Sequence, residues 1–169
     1  MTTGEILAGL MVRDLRAVQR ELEAYPSEAS LWVRPDSIPN AGGTLALHLA
    51  GNLRHFVGAL LGHTGYVRDR DAEFARRDVP RAELLRELDA AIADVSTVLP
   101  TLSADRMDAF MTIGHGDRQV QTGEFLTHLA VHLTYHLGQI DYHRRLTSGA
   151  SSSVDALSLS ALASMRSTG

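Results

Sequence analysis

Three histidines recur at steps of four in the stretch His128-Leu-Ala-Val-His132-Leu-Thr-Tyr-His136-Leu-Gly138-Gln139. On an α-helix, residues four apart share one face, with Cβ atoms roughly 5–6 Å apart. Two imidazoles so placed can reach one ion at the ~2.0–2.1 Å of a zinc–nitrogen bond. Spacing alone leaves open which two of the three would bind. A third ligand is predicted at His48, which interrupts the most apolar segment of the chain, where a lone imidazole needs a polar partner. The plain alternatives are a hydrogen-bonded core histidine at 48 and a solvated face at 128–136. Neither HxxxH pair carries the glutamate of the zincin HExxH, which argues against a zinc peptidase of that type.

Other chemistries are pruned by absence. The chain has no cysteine, so thiolate metal sites, disulfides, iron–sulfur clusters and a cysteine nucleophile are excluded. It has no lysine either, since all 16 basic residues are arginine, and this removes Schiff-base catalysis and the P-loop lysine. The net charge of −4 favours neither nucleic acid nor an anionic membrane as partner. No apolar run approaches the roughly 20 residues of a transmembrane helix, and Met1-Thr2-Thr3-Gly4-Glu5 does not open a signal peptide, so a cytoplasmic location is expected.

The elements that must position these histidines read as helices. Ile6, Leu7, Leu10, Met11, Leu15, Val18 and Leu22 form one apolar stripe, predicting a helix over about 4–23 that Pro26 ends. An irregular stretch over 27–43 follows, in which Leu31-Trp32 is expected to plug one end of the core. A second helix is predicted over about 44–62, with Thr44 as its N-cap. It is apolar nearly all round except at His48, Asn52 and His55. A charged stretch from Arg68 leads to Pro80, which opens a third helix ending before Pro100. Residues 101–121 read as a long connection, and a fourth helix runs over about 122–145. The expectation is an all-α four-helix bundle over 1–146, with a Ser-rich tail over 147–169 that allows a short extra helix.

The stretch Leu45 to Asn52 (LALHLAGN), then Arg68-Asp69-Arg70 with Glu73-Phe74, then His132-Leu-Thr-Tyr-His136-Leu-Gly138-Gln139-Ile140 resembles the DinB-like (YfiT-like) metal-binding helical bundles over about residues 5–146. The resemblance implies an up-down-down-up bundle, often a two-fold dimer, with the metal on His48, His132 and His136. His128 then corresponds to an extra histidine beside the ligands rather than among them. Some relatives use low-molecular-weight thiols, as in mycothiol-dependent maleylpyruvate isomerase and the bacillithiol S-transferases.

Three neutral imidazoles leave a divalent ion, zinc or nickel, with its full charge and an open position, which suits catalysis better than structure. That position could hold water for hydrolysis or a thiol, which the metal would deprotonate. A hydrolase needs a carboxylate base beside the water, and neither Glu124 nor Asp141 has the helical spacing to supply one. The balance tilts towards a metal-dependent thiol transferase acting on a small electrophilic substrate. Asn52, four residues after His48, Gln139, three after His136, and Arg68 are the expected positioning groups. Arg68 and Arg70 could clamp a carboxylate, or instead pair with Asp69, Asp71 or Glu73. Tyr135 is expected in the core or an interface, Gly138 at a close helix contact, and His55, His63, His115 and His143 outside the chemistry. The alternatives are a metal-dependent hydrolase and a non-catalytic, dimeric, metal-binding stress-response protein. A homodimer is expected because the second and fourth helices are more apolar than a monomer of this size needs.

Overall fold

The computed structural model describes residues 1–114, 118–162 and 164–166. Helix α1 (Thr3–Glu23) opens with a reciprocal cap: the Thr2 hydroxyl accepts from the Glu5 N–H, and the Glu5 carboxylate accepts from the Thr2 N–H. Its stripe of Leu7, Met11, Leu15, Val18 and Leu22 is buried.

Helix α2 (Gly42–Leu53) begins earlier than the sequence predicts. Ala41 is its N-cap, and Thr44 lies buried inside the first turn, so Thr44 does not cap it. Gly42 and Gly43 explain the shift. A Cβ at Gly42 would stand 2.3 Å from the Tyr25 hydroxyl, and one at Gly43 would stand 2.6 Å from the Trp32 ring. Only glycines let this end of the helix lie directly on those aromatic side chains. Leu31 and Trp32 are both buried there.

Beyond Leu53 the same helix continues as a π-helix, Arg54–Leu61, closed by a Gly62 N–H bond to the Val57 carbonyl. The charged stretch contains a short helix α3 (Arg70–Ala75), with Asp69 as its N-cap. Helix α4 (Arg81–Val98) follows Pro80. The connection over 101–121 is more ordered than expected: it holds α5 (Ala104–Asp108) and a hairpin of β1 (Phe110–Thr112) and β2 (Gln119–Gln121), in which Phe110 pairs with Gln121. Strands of three residues are too short to show an alternating pattern. Helix α6 (Thr122–Ser148) ends at Gly149 in the left-handed conformation. In the tail the expected extra helix is a single 3-10 turn, Leu159–Ala161.

The protein is mostly helical. Its four long helices enclose one core, in which Leu15, Leu49, Leu53, Leu88, Leu126 and Leu133 are almost fully buried. Helices α1 and α2 each pack on both α4 and α6. The α1–α6 contacts include Asp14 with Thr134 and Glu21 with Arg144; His48 of α2 meets His132, and Phe56 of its π-helical continuation meets Phe125. Among the described residues, no helix is long and apolar enough to cross a membrane.

One polar cluster sits inside this packing. Arg144, 1% exposed, pairs with Glu21, and it also donates to Asp141 and to the Ser152 carbonyl at 2.9 Å, which ties the tail down. Removing one partner of a buried pair leaves the other charge uncompensated. Arg144→Ala should therefore cost about 3 kcal/mol or more, read as a fall in the urea midpoint. An unchanged midpoint would show that water reaches Glu21 in the folded protein.

Candidate metal centre

His48 of α2 and His132 and His136 of α6 bring their ring nitrogens within 4.8 Å of one another. The His132 Nε2 lies 3.4 Å from that of His48 and 3.0 Å from that of His136. Nitrogens bound tetrahedrally at ~2.0–2.1 Å to one ion stand roughly 3.3–3.4 Å apart, so the cluster is spaced for a shared cation. The three rings meet edge to face, at interplanar angles of 81° to 90°. They could hold a metal ion.

The far nitrogens of two rings are held by acceptors. His48 Nδ1–H donates to Glu73 Oε2 at 3.1 Å, and His136 Nδ1–H donates to Gln139 Oε1 at 2.6 Å. Each bond places the proton on Nδ1 and leaves Nε2 free to ligate, which is how metal-binding histidines are commonly oriented. Glu73 is itself buried and gripped by Arg68, whose Nε and Nη2 donate to its two oxygens at 2.7 and 2.8 Å. Burial would raise the Glu73 pKa, but the Arg68 and His48 hydrogen bonds outweigh it and hold the carboxyl below its ordinary range. Burial, then repulsion by the charged forms of His136 and His48, pushes His132 down to about 4. Burial also lowers His136, against the opposing bond from Gln139. His132 is thus neutral near pH 7, the form that ligates a metal.

Glu73 is the residue that sequence reasoning did not assign to the centre. Its approach depends on Gly51, where a Cβ would come within 2.2 Å of Glu73 Oε1. The absent side chain lets α3 settle on α2, and Phe74 then packs 5.0 Å from the His48 ring. The signal in the sequence is slight: a capping aspartate at 69 and an acidic first turn.

The other predicted residues fall in several places. Arg68 reaches the centre through Glu73, as the ion-pair alternative expected. Asn52 is buried one turn beyond His48, and its Oδ1 has no hydrogen-bond partner among the described residues. His128 is exposed, its ring stacked 6.1 Å from that of His132 and outside the ligating cluster. Arg70 lies over the Phe74 ring. Asp141 pairs with Arg144 and Arg145, and Glu124 is exposed. Gly138 makes no close helix contact, since nothing lies within 4 Å of where its Cβ would be. Tyr135 is 64% exposed rather than in the core. His143 is buried against Tyr25 and the Val33 carbonyl. His55 is half-buried against Phe56, His63 is exposed, and His115 lies outside the described residues.

Glu73→Gln keeps the shape but removes the charge behind His48. Zinc affinity, measured by competition with a chromophoric chelator, should fall about 10–100-fold with the helical content unchanged. Wild-type affinity in this variant would mean that His48 needs no anionic partner.

The model of one protein family, described as the DinB superfamily, matches residues 11–140. That span contains all three clustered histidines and Glu73. No curated protein and no solved structure matches the chain.

Proposed function

Because the chain belongs to the DinB superfamily and gathers three imidazoles with no carboxylate among them, we propose that it is a metal-dependent transferase joining a low-molecular-weight thiol to a small electrophilic substrate. A bound zinc or nickel ion would supply the Lewis acidity that lowers the pKa of a thiol. The chain's own groups orient the site. Glu73 and Arg68 fix the His48 ring, and Gln139 fixes His136. Transfer forms a carbon–sulfur bond at the electrophilic carbon, the leaving group departs with its electron pair, and the thiol proton is released.

The observation that carries this reading is the state of Glu73. It is the carboxylate nearest the imidazoles in the hydrogen-bond network, and both its oxygens are engaged by Arg68 and His48. It is poorly placed to act as the base that a hydrolytic water needs. The test is metal analysis of untagged protein, followed by a screen of thiol consumption against electrophiles. Consumption should require both protein and metal, and His132→Ala should abolish it. Metal-dependent hydrolysis that ignores added thiol would overturn the proposal, as would bound metal with no turnover of any electrophile.

We read the long helices as running up-down-down-up. The pairs Asp14–Thr134 and Glu21–Arg144 advance together along α1 and α6, His48–His132 and Phe56–Phe125 advance oppositely along α6 and α2 with its π-helical continuation, and Arg54–Glu87 and Gly58–Asp94 advance together along that continuation and α4. We also propose a homodimer. The apolar surface of α2 is used within the chain, but α6 leaves Val131 and Tyr135 more than 60% exposed. Light scattering at micromolar concentration should give twice the chain mass, and Val131→Arg should halve it. A monomeric wild type would rule the dimer out.

A further inference from the structure

A cavity of about 300 Å³ lies between the loop before α2 and the C-terminal half of α6. Its walls are mostly apolar, with Ile38, Leu45 and Leu146 among them, and it shares one residue with the metal centre, Gln139. The volume is at the small end of the roughly 300–1,000 Å³ typical of ligand pockets. Asn40 and Tyr142 add polar side chains to its walls, and neither makes a hydrogen bond among the described residues. His143 also lines it, but the Tyr25 hydroxyl at 2.6 Å and the Val33 carbonyl at 2.8 Å engage both its ring nitrogens. Gln139 differs. Its Oε1 accepts from His136, while its Nε2 has no partner among the described residues.

The orientation of that amide follows from the centre. For His136 to ligate through Nε2 its proton must sit on Nδ1, so the Gln139 oxygen must face it and the NH2 group must face away. A pocket whose walls are mostly apolar thus carries an unpaired donor at Gln139, beside the neutral polar side chains of Asn40 and Tyr142. Among the described residues, no arginine, aspartate or glutamate lines it. Desolvating a carboxylate there without a countercharge would be costly, whereas a neutral carbonyl would satisfy the donor at little cost.

We propose that this cavity binds a small neutral carbonyl compound with an apolar body, an amide, ester or ketone, and that its occupancy is coupled to the metal through Gln139. A carbonyl accepting from Nε2–H polarises the amide and strengthens its oxygen as acceptor for His136 Nδ1–H. His136 then becomes a better ligand. The ligand sits behind His136, on the side away from Nε2, so it acts as an effector and not as the reacting substrate. The pocket stands on its own geometry; the coupling rests on the proposed metal centre.

Titration calorimetry with hexanamide, hexanoate and hexylamine, on zinc-loaded and metal-stripped protein, tests both parts. Hexanamide should bind the stripped protein, and the two charged probes should bind far more weakly. Saturating hexanamide should raise zinc affinity at least ~5-fold, and zinc should raise hexanamide affinity by the same factor, since coupling is reciprocal. Gln139→Leu should abolish the coupling. Tyr142→Ala, which opens the rim without touching the centre, should weaken hexanamide alone. Hexanoate binding as tightly as hexanamide would overturn the neutral-ligand assignment. Hexanamide binding with no effect on zinc would overturn the coupling. No hexanamide binding, with a dimer lost in Tyr142→Ala, would show this face to be an interface between two copies.

Discussion

Alanine at His48, at His132 or at His136 should each empty the metal centre, while His128→Ala should leave it nearly full. Each of the first three variants removes one of three clustered nitrogens, and two monodentate imidazoles seldom hold a divalent ion against buffer. His128 is exposed and stacks beside His132 without joining the cluster, so its loss should cost at most the ~10–100-fold expected of a supporting neighbour. Helical spacing treats 128/132 and 132/136 as equivalent pairs. The distinction comes from His48 and from Gln139, which place their partners on the 136 side. Metal content by mass spectrometry on the four variants settles it. An empty site in His128→Ala beside a full one in His136→Ala would mean that the wrong turn of α6 has been assigned.

Zinc affinity should fall with pH by fewer than two decades per pH unit between pH 6 and pH 5. The slope counts the protons that binding displaces. Three ordinary imidazoles, each with a pKa of ~6.5, would give a slope approaching three in that range. Here His132 stays neutral down to about pH 4 and contributes little, which by itself holds the slope below two, and burial lowers His136 as well. A measured slope of three would mean that the rings are as wet as free imidazole. The same shifts act on the metal-free fold. A histidine whose folded pKa lies below its unfolded value lets the unfolded chain bind the proton first. The His132 contribution is therefore complete above pH ~6.5 and is lost as pH falls from there towards about 4. Metal-stripped protein should melt at lower temperature at pH 5 than at pH 7. At pH 7.5, free zinc a thousandfold above its Kd should stabilise the fold by about 4 kcal/mol, which for a domain of this size is on the order of 10 °C. Identical melting with and without a chelator would refute a folded-state site.

The long helices were legible because their apolar spacing repeats over several turns; five of the seven stripe residues of α1 are buried, while Ile6, in the first turn, is 45% exposed and Leu10 is half-buried. The clustered histidines were legible for a related reason: a four-residue step is a distance, and His48 stood out in an apolar helix. Glu73 was hidden because its role depends on a missing atom at Gly51, 22 positions away and on another helix. Arg144 was hidden similarly. Its neighbours His143 and Arg145 make the stretch look like a solvated helix end, and only Glu21, 123 residues distant, shows that it faces inward. The hairpin and the π-helix left no mark because each turns on backbone geometry that three to eight residues of ordinary composition do not advertise.

The π-helical stretch Arg54–Leu61 has a consequence for how this chain can vary in length. Its hydrogen bonds reach one residue further than those of an α-helix, so it holds slack that an α-helix lacks. Deleting one residue here, Ala59 for example, lets the segment relax into ordinary α-helix, with far less rotation of the downstream chain than the roughly 100° that the same deletion causes in an α-helix. His48 and Asn52 lie upstream and keep their places. The eight residues between Leu61 and Arg70, which carry no helix or strand, can take up the difference before α3 returns Glu73 to His48. An insertion or deletion between Gly42 and His48 has no such refuge, because it would turn the ligand itself away from α6. Chains sharing this metal centre should therefore differ in length after Leu53 and agree before it.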